Sequence, residues 1–170
     1  MSNQEKVSSV LKMWHEELGP DCKGFQKIRN TSDLNQFKNV VEILPIVSKL
    51  EQLGLSNKGA FCLVGLVANV NTDDPTVEFV CSLGRVRNRN QKPAYCEIHF
   101  ERLCASQRIE MFYRRLKRVI LVLQRKIDIT SLVECVTSWE HHHENGLVQG
   151  KFSGEYLERL RASYYEEINK

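Results

Sequence analysis

Three observations predict an all-α fold for this 170-residue chain. Apolar residues recur at spacings of three and four over most of its length, and capping residues, glycines and prolines punctuate those stretches. The segment from Arg108 to Lys126 carries the cleanest stripe: Ile109, Phe112, Tyr113, Leu116, Val119, Ile120 and Leu123 share one helical face. The expectation is a compact bundle of about seven to nine helices, either one domain over residues 1–170 or two packed subdomains. Hydrophobic residues make up 42% and charged residues 26%, a globular composition.

Taken in order, Val7, Val10, Leu11, Trp14 and Leu18 form one face of a first helix over residues 4–18, which Gly19 and Pro20 end. Residues 21–30 read as a short basic connector holding Lys23, Lys27 and Arg29. Thr31, Ser32 and Asp33 offer an N-cap for a helix with Leu34, Phe37, Val40, Val41 and Leu44 inward. Pro45 should kink or divide that helix before it resumes through Ile46, Val47, Leu50 and Leu53. Ser56 caps a strongly apolar segment, residues 60–70, which reads as a buried helix. Residues 71–75 form a turn, and residues 76–83 a short helix.

Gly84 opens a basic loop over residues 84–94. A helix over residues 95–105 follows, with Ile98, Phe100, Leu103 and Cys104 as candidate inward positions. Ser106 is the expected cap of the striped helix. Asp128 or Thr130 caps the next helix, with Leu132, Val133, Val136 and Trp139 inward, and residues 155–168 make the last one.

Charge is distributed unevenly. The chain's net charge is +3, yet residues 82–126 hold twelve basic side chains against three acids, a net +9, which leaves −6 for the rest. Such an excess on and around one amphipathic helix is the sequence signature of a polyanion-binding surface. At about 100° per residue, Arg114, Arg118 and Arg125 fall opposite the apolar stripe, and Arg108, Arg115 and Lys126 line one flank.

Several kinds of chemistry lack their usual signatures. The six cysteines contain no C-x-x-C pair, and Cys62, Cys81, Cys104 and Cys135 sit in apolar patterns, as core residues of a reduced cytoplasmic protein would. His141, His142 and His143 are consecutive and diverge around a helix, so no metal is expected there. No phosphate-binding glycine loop, dinucleotide turn, zinc-protease helix or nucleophile elbow is present. No apolar run is long enough to span a bilayer, and the polar start lacks the core of a signal peptide.

The order of features resembles a known family. Trp14 ends the first helix, Lys27-Ile28-Arg29 follows, and Asp33-Leu34 starts a helix. Ser82-Leu83-Gly84-Arg85 precedes the basic loop, and Glu101-Arg102-Leu103, Arg114-Arg115-Leu116 and a helix ending in Trp139 complete the series. Together these resemble the CasB family, the small subunit of the type I-E CRISPR surveillance complex Cascade, over roughly residues 5–140. Asn30 stands where family members often carry a second basic residue, and residues 141–150 replace a more regular final helix.

The resemblance implies a non-catalytic, cytoplasmic subunit without cofactor or metal, present in two copies beside the backbone and large subunits of an antiviral complex. It would hold the guide RNA–target DNA hybrid and the displaced DNA strand while base pairing supplies specificity. The phosphate-contacting candidates are Lys27, Arg29, Arg85, Arg87, Arg89, Arg102, Arg108, Arg114, Arg115, Arg118 and Arg125. Two other readings stay open: a helical transcription regulator, for which the basic helix offers only Gln124 as a base-reading amide, and a metal-dependent nuclease using residues 141–144.

Overall fold

Capping chemistry sets most of the element boundaries. The computed structural model describes residues 2–19, 21–31, 33–85, 90, 92–144 and 155–170. Helix α1 (Asn3–Leu18) opens on a reciprocal box in which the Ser2 hydroxyl accepts from the Glu5 N–H and the Glu5 carboxylate accepts from the Ser2 N–H. It stops at Gly19, whose φ of +69° glycine adopts without strain.

The expected connector that follows contains a helix, α2 (Lys23–Arg29). Its cap is a thiol: Cys22 Sγ accepts from the Phe25 N–H at 3.3 Å, a role that oxygen-bearing side chains normally fill.

Asp33 caps a 3-10 turn (Leu34–Asn39), a second one follows (Val41–Ile43), and α3 runs Leu44–Gln52. The long helix expected across this region is therefore divided before Pro45. The proline sits in the first turn of α3, where a missing N–H costs nothing. Helix α4 (Asn57–Val67) starts at Ser56, whose hydroxyl accepts from the Gly59 N–H, and from Gly59 onward it is buried throughout.

The later helices are α5 (Phe79–Arg85), α6 (Glu97–Cys104), α7 (Ile109–Val122), α8 (Ile129–Glu144) and α9 (Glu155–Ile168). Two-residue strands β1 (Thr72–Asp73) and β2 (Lys126–Ile127) form one parallel pair that ties the end of α7 to the turn after α4. Of the two residues offered as the α8 cap, Asp128 fills the role: its carboxylate accepts from the Thr130 and Ser131 N–H groups.

Helix α4 lies at the centre, against α3, α7, α8 and the first 3-10 turn; α1 crosses α8, α6 packs on α7, and α9 lies along α5. Gly65 admits the Phe37 and Tyr113 rings so closely that a Cβ there would stand 2.3 Å from one and 2.9 Å from the other. That contact seats α7 on the core by its predicted stripe, and Ile109, Phe112, Tyr113, Leu116, Val119, Ile120 and Leu123 are all buried.

Several inward assignments need correction. Val41 is 71% exposed and Leu18 and Leu44 also face solvent, because the expected helix breaks into 3-10 turns around Val41 and Leu18 ends α1. Ile98 is 64% exposed, because it lies about 200° around α6 from the fully buried Phe100. Cys81 is only half-buried, whereas Cys62, Cys104 and Cys135 are in the core. Among the described residues no helix is long and apolar enough to cross a membrane.

Candidate nucleic-acid interface

Helix α7 is anchored on one side and open on the other. Its N-cap is Arg108 rather than Ser106. Ser106 instead braces the helix: its hydroxyl accepts from Arg115 Nη1 at 2.8 Å, and its carbonyl accepts from Trp139 Nε1 at 3.0 Å. Trp139 is stacked between Phe112 and His143, with ring centroids 5.0 and 3.8 Å away.

On the solvent side Arg108, Met111, Arg114, Arg118 and Leu121 are exposed and fall within an arc of about 140°. Arg102, exposed on α6, lies beside them, because its carbonyl accepts a hydrogen bond from Arg115 Nη1. Among the described residues Arg102 and Arg118 have no ion-pair partner, and Arg108 reaches the Glu110 carboxylate only at 3.7 Å. The open face thus gathers Arg102, Arg108, Arg114 and Arg118.

The other candidates are placed differently. Arg115 is tucked against α6 by its bonds to Ser106 and the Arg102 carbonyl. Arg125 does not continue the row, because α7 ends at Val122 and the chain turns through left-handed backbone at Gln124 and Arg125, with φ of 55° and 61°. Its Nη1 instead donates to the Asn69 carbonyl at 3.3 Å. Arg29 donates from Nε to the Ala68 carbonyl at 2.6 Å, and from Nη2 to the Val70 carbonyl at 3.2 Å and Asn71 Oδ1 at 2.9 Å. Lys27 pairs with Glu42 at 2.5 Å, both side chains being about half exposed. Arg87 and Arg89 lie outside the described residues.

Arg85 belongs to a helix contact. Its guanidinium grips Glu167 of α9 through two bonds of 2.8 and 3.1 Å. This pairing, with Lys170 added, holds the Glu167 carboxyl down at about 2. Gly84 makes room for the same helix: a Cβ there would stand 2.5 Å from Glu167 Cβ and 2.9 Å from the Tyr164 carbonyl. Leu83 is fully buried. The Ser82-Leu83-Gly84-Arg85 segment is therefore the docking seat of α9. Nearby, Arg161 grips Glu101 in the same two-pronged way, at 3.2 and 2.8 Å, and pulls that carboxyl below its ordinary range.

One participant has no counterpart among the sequence candidates. Lys117 Nζ donates to the Arg29 carbonyl at 2.8 Å and the Thr31 carbonyl at 3.1 Å, so it fastens α2 to α7. Its offset of about 60° from Ile120 on the helical wheel, at the margin of the core stripe, is the signal that could have singled it out. Burial, and then the charge of Arg125, lower the pKa of both Lys117 and Arg29.

His143 Nδ1 lies 2.8 Å from the Trp139 carbonyl, so its ring braces the end of α8. Among the described residues no group of three histidine, cysteine or acidic side chains is placed to hold a metal ion.

No curated protein sequence and no solved structure gives a significant match to the chain. A family model described as CRISPR-associated protein Cse2 matches residues 27–165, which runs from the last turn of α2 through most of α9 and takes in every element carrying the open basic face. With most of the chain aligned to that model and a helical body bearing a cationic helix, the chain belongs to the Cse2 (CasB) family, small subunits of the type I-E CRISPR complex Cascade.

Proposed function

We propose that this subunit holds the guide RNA–target DNA hybrid and the displaced DNA strand of the assembled cytoplasmic complex through sequence-independent phosphate contacts, without catalysing a reaction. Two copies would line the path of the strand beside the backbone and large subunits. The observation that supports this reading is the open face of α7 and α6. It presents Arg102, Arg108, Arg114 and Arg118 to solvent, while the opposite side of α7 is fixed in the core. Contacts of this kind read charge rather than base identity, so they hold any target that the guide has selected.

Arg114 and Arg118 lie one turn apart, about 6 Å along the axis, a spacing suited to neighbouring phosphates. Met111 and Leu121, 43% and 46% exposed, flank them with apolar surface on which a base or sugar can rest.

The test is the double variant R102A/R118A in the assembled complex. It should keep the thermal midpoint of the wild-type chain and weaken target capture. The salt dependence of capture should become shallower by about 0.7 per lost single-strand contact. Wild-type R-loop yield and salt slope in an electrophoretic titration would sink the proposal.

A further inference from the structure

Three cations that lie outside the open row come together at one place. Arg29 bonds the carbonyls of Ala68 and Val70, Arg125 bonds the carbonyl of Asn69 between them, and Lys117 bonds the carbonyl of Arg29 itself. The ends of α2, α4 and α7 thus converge with three half-buried positive charges between them. Among the described residues none of the three lies within ion-pair distance of a carboxylate; Asp21 acts on Arg29 only at longer range. The carbonyl ends of α2, α4 and α7 offset about half a charge each, which leaves roughly one and a half positive charges uncompensated.

Donors remain for a further ligand. Arg29 spends Nε and Nη2 on the protein and keeps Nη1. Arg125 spends Nη1 and keeps Nε and Nη2, and Lys117 keeps one ammonium hydrogen. The carbonyl bonds fix these side chains beforehand, so a ligand need not freeze them. Two guanidinium groups and an ammonium can donate to three oxygens at once, which a tetrahedral oxyanion offers and a two-oxygen carboxylate or a halide does not.

We propose that Arg29, Lys117 and Arg125 form a built cradle for one phosphate group, taken as a phosphodiester of the bound strand, and that it fixes the strand's register on this subunit. The assignment rests on the nucleic-acid reading above. It separates one anchored phosphate from the looser contacts of the open row. The position of the cradle favours a strand as its source, because it closes the end of the helix whose solvent side carries Arg114 and Arg118.

The test uses the full chain and the variant R125N. Asparagine accepts the left-handed backbone at this position, and R125K restores the charge. Inorganic phosphate at about 20 mM, compared with chloride at equal ionic strength, should raise the wild-type melting midpoint by about 4–7 °C for a site with a Kd of about 1 mM and leave R125N unmoved. A thymidine oligonucleotide followed by fluorescence anisotropy should bind R125N more weakly, with a salt slope shallower by about 0.7, and R125K should recover part of the loss.

An equal phosphate response in wild type and R125N, or none in either, overturns the cradle. A phosphate response specific to Arg125 with oligonucleotide binding absent or equal in both proteins makes it a site for free anion and overturns the phosphodiester assignment. Loss of oligonucleotide binding in R102A/R118A but not in R125N removes the cradle and leaves the open row standing; the converse pattern removes the row.

Discussion

Replacing Gly84 by alanine tests whether α9 is held as the geometry implies. The added Cβ would meet Glu167 Cβ at 2.5 Å and the Tyr164 carbonyl at 2.9 Å. The second of these is backbone and cannot rotate away, so α9 must withdraw from α5 by roughly 1 Å to regain ordinary contact. Overpacking of this kind costs about 1–3 kcal/mol, and the helix preference of alanine returns up to about 1 kcal/mol, less so close to a helix end. A net loss of about 1–2 kcal/mol corresponds to a melting midpoint lowered by about 2–8 °C in a chain of this size.

Gly24→Ala in α2 is the control with the opposite sign. Its Cβ would find Glu42 Cβ at 3.6 Å and Cys22 Sγ at 3.9 Å, both ordinary contacts. The substitution should therefore stabilise by about 0.5–1 kcal/mol, an increase of about 1–4 °C. Far-UV circular dichroism melts read both variants, and amide exchange should show lost protection confined at first to α9 and α5 in Gly84→Ala. A Gly84→Ala protein that melts at or above the wild type with α9 protection unchanged would refute the packing argument.

Two further predictions concern the same body. Glu167 and Glu101 have carboxyls held below their ordinary range by Arg85 and Arg161, Glu167 at about 2. Their pairing therefore stabilises the fold above the unfolded carboxylate pKa of about 4.3 and is lost as pH falls towards 2. The near-ultraviolet dichroism of Tyr164 and Tyr165 should change over that window before bulk helix is lost in wild type, and R85A should respond at higher pH; identical acid profiles would count against the clamp. Trp139→Phe removes the donor to the Ser106 carbonyl, at a cost of about 1–3 kcal/mol for a buried acceptor left unsatisfied. An unchanged urea midpoint would contradict that.

Local pattern made much of the molecule legible in the sequence. The α7 stripe and the inward face of α8 follow from spacing, the buried α4 from the length of its apolar run, and Ser56 and Asp128 cap where their chemistry suggested. Helix α2 was hidden because a cysteine caps it and a glycine lies inside it, both poor helix signals. Within the candidate interface, the wheel places Arg114 and Arg118 on the open face because that part of α7 is regular helix. It misplaces Arg125, because the helix ends three residues earlier and the backbone turns left-handed. The partners of Arg85 and Lys117 lie 82 and 88 residues away along the chain. A charge's partner at that range is decided by how helices pack, which no local window contains.

The grip of Lys117 on the carbonyls of Arg29 and Thr31 bears on how portable the basic helix is. Grafted alone onto another helical scaffold, α7 would carry an ammonium whose two acceptors had been left behind. A working transplant must move residues 23–31 with it, so the smallest exchangeable unit among relatives is a pair of distant segments rather than a single rod.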